Sequence, residues 1–188
     1  MPKNTSLFFA SFAFCLLLIL PFRAYGAEAK ITDLLVTSTA ENVLVYFRVA
    51  DCFTKDMEDA VFTGLPVTFT FLLEVYQERK YWLDKRESRL EIKHTIKYDN
   101  IKKIFYVSFT EKRGKRATFT GLNNAKRAMS DLNGVPVVPR NLLKEDKQYY
   151  IRAKAKLGRV NLPLRMKRIL FVSMWDFETE WHRQGFVY

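Results

Sequence analysis

Val67, Phe69, Phe71, Leu73 and Val75 alternate with Thr68, Thr70, Leu72, Glu74 and Tyr76. This period of two limits the fold more tightly than any other feature of the chain. Side chains at every second position of an extended segment share one face, so the run is a long strand with one strongly apolar side. Leu90, Ile92, His94, Ile96 and Tyr98 repeat the pattern against Arg89, Glu91, Lys93, Thr95 and Lys97. A further apolar run covers Ile104 to Phe109. Between the two lies Tyr98-Asp99-Asn100-Ile101-Lys102, and Asp and Asn tolerate left-handed backbone, so a hairpin is expected there. Val43 to Val49 is almost wholly apolar, as a central strand covered on both sides would be. Ile31 to Thr37 precedes it across a turn at Thr39-Ala40-Glu41-Asn42. Tyr149 to Val160 and Phe177 to His182 also read as strands, with a short one near Arg116 to Thr120. Seven or eight strands with few helices predict a mainly β chain: a two-sheet antiparallel β-sandwich of immunoglobulin-like class, rather than alternating βαβ units.

Two segments keep helical spacing instead. Thr54 to Thr63 opens on a capping residue, carries Asp56, Glu58 and Asp59 early, and places Met57, Ala60 and Val61 together before Gly64 and Pro66 end it. Leu122 to Leu132 puts Leu122, Ala125, Met129 and Leu132 on one face and is expected to stop at Asn133-Gly134. Arg165 to Val172 is a third short candidate.

The first 26 residues read as an address. Lys3 is followed by a 16-residue apolar run from Leu7 to Phe22, broken only by Ser11 and Pro21, and then by Ala24-Tyr25-Gly26. A basic start, an apolar middle and a small-x-small end form a secretory signal, with the cut expected after Gly26. As a helix the run spans about 24 Å, short of the roughly 30 Å hydrocarbon core, although an uncut anchor stays open. Residues 27–188 then form a single domain. The whole chain has 188 residues, 31 Lys+Arg, 20 Asp+Glu and a net charge of +11. The address holds Lys3 and Arg23 and no acid, which leaves 29 basic and 20 acidic residues and a charge of +9. It also takes Cys15 away, so Cys52 stands alone and no intrachain disulfide can form. With 48% hydrophobic and 15% aromatic residues the domain can rest on its core, and low-complexity disorder is excluded.

Several of these segments occur in an order that resembles a known family. A helix ends in Gly64-Leu65-Pro66 ahead of Val67-Thr68-Phe69. Tyr81-Trp82-Leu83-Asp84 follows a long apolar strand, Asn161-Leu162-Pro163-Leu164 comes later, and Trp175 and Trp181 close the chain. In these features, across nearly all of the chain after residue 26, it resembles an uncharacterised bacterial family, domain of unknown function 4390. The resemblance implies an exported or envelope-anchored bacterial protein with no assigned activity. It brings no catalytic residues.

Catalytic motifs are sparse. No Gly-x-Ser-x-Gly, His-Glu-x-x-His or Gly-rich phosphate loop occurs. His94 lies on an apolar face, where a hydrogen-bonded core histidine is expected. His182, beside Glu180, suggests a surface ion pair. Cys52 is expected to be buried and inert, with no Lys, Arg or His adjacent in sequence. Two histidines and one exported cysteine give a transition metal few ligands, and the acids Asp56, Glu58 and Asp59 are explained by the helix dipole without calcium. No catalytic residue, cofactor or metal is assigned. Trp175 and Trp181 are expected in the core.

The basic residues carry more information. Arg152, Lys154 and Lys156 line one face of a strand, with Ile151, Ala153 and Ala155 on the other. Lys112, Arg113, Lys115 and Arg116 surround Gly114 at an expected hairpin tip, and Arg165, Lys167 and Arg168 form another cluster. A surplus of this size creates a positive field that attracts polyanions or anionic membranes. Behind a secretory signal, nucleic acid is out of reach. Anionic lipid, an envelope polymer or an acidic protein remain as partners. The row Asp176, Glu178, Glu180 and His182 has the sign to lie beside Arg152, Lys154 and Lys156 on one sheet face, which would neutralise part of that stripe.

The sequence therefore predicts a non-enzymatic binding or assembly module of the cell envelope, periplasmic or associated with the outer face of the cytoplasmic membrane. Two alternatives stay open. An enzyme acting on an envelope polymer would need a carboxylate pair, with Asp84 or Glu180 as candidates. A lipid or small-molecule carrier would need an apolar cavity of about 300 Å³ or more between the sheets.

Overall fold

A computed structural model describes residues 28–157 and 177–188. The apolar faces predicted by alternation meet between two antiparallel sheets, which form a sandwich. Strands β1 (Lys30–Ser38), β2 (Asn42–Ala50) and β7 (Asp131–Pro139) make a three-stranded sheet in the order β1-β2-β7. Strands β3 (Val67–Gln77), β4 (Lys85–Asp99), β5 (Ile104–Phe109), β6 (Arg116–Phe119), β8 (Gln148–Leu157) and β9 (His182–Val187) make the second, in the order β6-β5-β4-β3-β8-β9. Helix α1 (Lys55–Phe62) carries the chain from β2 to β3, and α2 (Leu122–Ser130) returns it from β6 to β7. Among the described residues no helix is long and apolar enough to cross a membrane.

The core lies where the two inner faces meet. Val67, Phe69, Phe71, Leu73 and Val75 of β3 are fully buried. Phe47 of β2 meets Phe71 across the sandwich edge to face, with ring centroids 5.8 Å apart. Thr54 caps α1 by accepting a hydrogen bond from the Met57 amide, and Met57, Ala60 and Val61 turn inward. The turn before β2 forms as expected, with the Thr39 amide bonded to the Asn42 carbonyl. At the β4–β5 hairpin the Asp99 carboxylate accepts from the amides of Ile101 and Lys102, while the left-handed position falls on Lys103 (φ 57°) rather than on Asp99 or Asn100.

Four expectations need correction. Helix α2 ends at Ser130, not Leu132. Leu132 and Asn133-Gly134 belong to β7, a strand hidden in the sequence by a glycine and two prolines. Prolines are tolerated because β7 is an edge strand, and Gly134 (φ 65°) forms a bulge in which Asn133 and Gly134 stand against Tyr46. Strand β2 is central, but only Val43, Val45, Phe47 and Val49 are buried; Leu44 and Tyr46 are half-buried and Arg48 is exposed. The closing strand is His182–Val187, not Phe177 to His182. Before it, Glu178 makes a single bridge to Lys156. The candidate helix Arg165 to Val172, the amino-terminal address and the last residues of the strand expected to reach Val160 lie outside the described residues.

Candidate functional site

The six-stranded sheet is twice as wide as its partner, and its outer face is not covered by the three-stranded sheet. Register places the outer side chains in rungs. One rung runs Arg89, Glu74, Arg152 and Arg183 across β4, β3, β8 and β9. Toward the β3–β4 turn the next holds Arg86, Tyr76 and Tyr150. In the other direction come Glu91, Leu72 and Lys154, then Lys93, Thr70 and Lys156. Lys97 stands on the same face of β4, and Arg116 of β6 closes it at the far edge through Ser108 and Thr95. Among the described residues Glu74, Glu91 and Glu178, with Glu78 just past β3, oppose this set of cations.

Glu74 is the centre of charge. Its carboxylate is 3% exposed and accepts from Arg152 Nε at 2.6 Å and from Tyr76 Oη at 3.1 Å. Arg89 and Arg86 approach its other oxygen at 3.6 and 3.7 Å. Burial alone would raise the Glu74 carboxyl, but the Arg152 and Tyr76 hydrogen bonds, with the charges of Arg152 and Arg89, bring it below the usual range. One acid thus faces three guanidinium groups.

The stripe Arg152, Lys154 and Lys156 forms as expected, and the expected acidic neighbour is there: Glu178 pairs with Lys154 at 2.7 Å. Its hydrogen bond and charge hold the Glu178 carboxyl below its ordinary value. The stripe is therefore partly neutralised. Glu180 and His182 do not pair with it or with each other, and both are exposed. Trp181 is not in the core: it is 36% exposed and lies over Arg152 (4.4 Å) and Lys154 (5.7 Å) on the basic face. The chain leaves regular pairing after Thr179, which breaks the alternation that would have turned Trp181 inward.

Lys112, Arg113, Lys115 and Arg116 occupy the β5–β6 hairpin tip and are exposed, without an ion pair among the described residues. Left-handed backbone at Arg113 and Gly114 makes the turn (φ 54° and 71°). Thr110 Oγ1 accepts from the Lys93 amide at 2.9 Å, so this tip begins beside the basic rung on β4. Arg165, Lys167 and Arg168, like Trp175 and Asp176, lie outside the described residues. Arg86, Arg89, Lys93, Lys97 and Arg183 were not singled out from the sequence. The alternation of β4 already put Arg89, Lys93 and Lys97 on one face; only strand order brings that face beside Arg152 and Lys154.

His94 is 1% exposed, with Nδ1 3.0 Å from the Met129 carbonyl and Nε2 3.1 Å from Glu111 Oε1. Cys52 is buried, and burial pushes its thiol up to about 12. Glu58 pairs with Lys126. Among the described residues no three His, Cys, Asp or Glu side chains gather as a metal site. Open clefts of about 420 and 340 Å³ flank α2, with Asp131 the single acid in the first and Asp51 in the second. Glu28 and Glu180 share a third, of about 240 Å³, with Trp181 and His182. Asp84 is held within the β3–β4 turn, accepting from Tyr150 Oη at 3.0 Å and the Arg79 amide at 3.1 Å.

A family model described as Domain of unknown function (DUF4390) matches residues 26–184. The chain belongs to this family. No curated protein and no solved structure matches the chain. The DUF4390 description assigns no activity, so the chemistry of this DUF4390 domain has to be read from its own surface.

Proposed function

We propose that this DUF4390 domain is an exported, non-enzymatic binding module of the cell envelope, which takes an anionic partner on the outer face of its six-stranded sheet. The observation that carries the reading is the charge imbalance of that face. Among the described residues Glu74, Glu78, Glu91 and Glu178 are the acids set among Arg86, Arg89, Lys93, Lys97, Arg116, Arg152, Lys154, Lys156 and Arg183. Several are already paired, so the remaining capacity lies with Lys97, Arg116, Lys156 and the adjoining tip Lys112–Lys115, which have no ion pair among the described residues. A partner binding there replaces mutual repulsion with attraction. The apolar run Leu7–Phe22 and a family match that opens at residue 26 favour export, which makes lipid, envelope polymer or acidic protein the accessible partners.

The test is binding to soluble polyphosphate at about 50 and about 300 mM salt. Wild type should bind at low salt and lose at least tenfold affinity at high salt, because screening shortens the reach of the field. Replacing Lys97, Lys112, Arg113 and Arg116 by Ser should weaken binding several-fold, while replacing Lys144 and Lys147 should not. Salt-independent binding, or equal binding by both variants, would overturn the surface assignment. Fractionation that recovers the protein in the cytoplasm would overturn export.

A further inference from the structure

The longest hairpin of the sheet, β3–β4, ends in Glu78-Arg79-Lys80-Tyr81-Trp82-Leu83-Asp84, and this turn is built rather than slack. The Glu78 amide donates to the Gln148 carbonyl at 2.9 Å, and Glu78 pairs with Arg183. Asp84 uses both carboxylate oxygens, one for the Arg79 amide and one for Tyr150 Oη. Tyr150 in turn stacks on Tyr76 at 5.2 Å with an interplanar angle of 8°, and the Arg183 guanidinium lies 3.7 Å from its ring centre. Between these clamps three large apolar residues stand in solvent: Tyr81 is 87% exposed, Trp82 76% and Leu83 82%.

Single exposed apolar residues are ordinary on a protein surface; three in succession on a pinned turn are not. Their chemistry points to one kind of surface. Tyr and Trp concentrate where a bilayer meets water, since each has an apolar body and a polar edge, and Leu belongs just below. Arg79, Lys80, Lys85 and Arg86 flank the trio. The nearby acids are engaged elsewhere: Glu78 with Arg183, Asp84 inside the turn and Glu87 with Lys85. Arg79 and Lys80 have no ion pair among the described residues, and the Lys80 ammonium rests 5.5 Å over the Tyr81 ring. A convex apolar tip inside a cationic collar complements an anionic lipid surface, whereas an acidic protein partner would have to supply its own pocket for all three side chains.

We propose that the β3–β4 tip is a membrane-insertion element: Tyr81, Trp82 and Leu83 enter the interfacial zone of an anionic bilayer while Arg79, Lys80 and Arg86 meet the headgroups. The sheet then stands on the membrane, and the rung Arg89, Glu74, Arg152, Arg183 follows directly behind Arg86. The inference rests on the anionic-partner reading for its electrostatic attraction and names the partner.

The test mixes the full chain with vesicles of phosphatidylcholine and phosphatidylglycerol at 3:1, or of phosphatidylcholine alone, with bromine on the acyl chains as a fluorescence quencher. Quenching that is present in wild type and missing in Trp82→Phe reports the position of Trp82 itself, so an amino-terminal apolar segment that also binds lipid cannot mimic it. Trp82 should be quenched in the anionic vesicles and at least fivefold less in phosphatidylcholine alone. The double variant Tyr81→Ser/Leu83→Ser, which keeps Trp82, should reduce quenching several-fold with an unchanged unfolding midpoint, since both side chains are exposed. No Trp82-specific quenching in anionic vesicles overturns the insertion; if salt-sensitive polyphosphate binding persists, the basic-face reading survives alone. Equal quenching in both vesicle types overturns the headgroup role. Loss of a crosslinked protein partner by the double variant, with no Trp82 quenching, assigns the tip to a protein and overturns the proposal. Failure with both polyphosphate and vesicles removes both readings.

Discussion

His94 has a hydrogen-bond acceptor at Nδ1, the Met129 carbonyl, and a carboxylate at Nε2, Glu111. Phe71 and Phe109 meet its ring edge to face at 4.9 and 4.8 Å. Burial lowers its pKa below the ordinary 6.5; Glu111 and the Met129 carbonyl oppose that, and Lys112 adds to it. The folded chain therefore binds fewer protons at this site than the unfolded chain once the pH drops below about 6.5, so stability is full above that value and declines beneath it. Urea midpoints at pH 7.5, 6.0 and 5.0 should fall more steeply for wild type than for His94→Gln; an equal or shallower fall would contradict the burial argument. Glu74 provides a second residue-scale prediction, in which stability and binding move apart. Glu74→Gln keeps the shape but leaves three arginines without their shared charge, at a cost of about 1–3 kcal/mol by denaturation. The same change removes one negative charge from the outer face, so polyphosphate should bind more tightly. Weaker binding by a folded Glu74→Gln protein would show that Glu74 orients Arg152 for the ligand rather than neutralising it.

Elements were legible where one local pattern ruled. The alternation of β3 and β4, the cap and acids of α1, and the Asp99 turn each needed only a short window of sequence, because strand faces, helix ends and turns are local geometry. Strand β7 was not legible, since Gly134, Pro136 and Pro139 are individually unfavourable in a strand and are accepted only because this one lies at a sheet edge and bulges. Trp181 was misplaced for a related reason: one break after Thr179 changes which face every later residue takes. The basic surface was half legible, as the stripe on β8 was visible in sequence but its neighbours on β4 and β9 depend on long-range order. The bulge permits a direct test. A Cβ at Gly134 would lie 3.2 Å from Tyr46 Oη, on backbone with φ 65°. Gly134→Ala should cost about 1–2 kcal/mol from the left-handed backbone alone. Adding Tyr46→Phe removes the nearest contact atom and should recover only the remainder. Full recovery in the double variant would mean that crowding, not backbone conformation, sets the cost.

Across the whole molecule the two faces of the large sheet have opposite tasks. The inner face is almost entirely apolar and closes the core, while the outer face gathers the cations of four strands with few acids between them. Neighbouring strands lie about 4.8 Å apart, so such like charges repel within the folded state more than in an extended chain. Raising sodium chloride from about 10 to about 150 mM shortens the screening length from about 30 to about 8 Å, which weakens that repulsion at once. Ion pairs such as Lys154–Glu178 and Lys93–Glu91 weaken as well, but exposed pairs contribute little, about 0–1 kcal/mol each. If repulsion dominates, the unfolding midpoint should rise with salt, by about 0.5–1 kcal/mol in stability. Replacing Lys97, Lys112, Arg113 and Arg116 by Ser should flatten the rise and raise the low-salt midpoint. A midpoint that falls with salt in wild type would mean that the acids already balance the face, and the surface would then have no unspent attraction to offer an anionic partner.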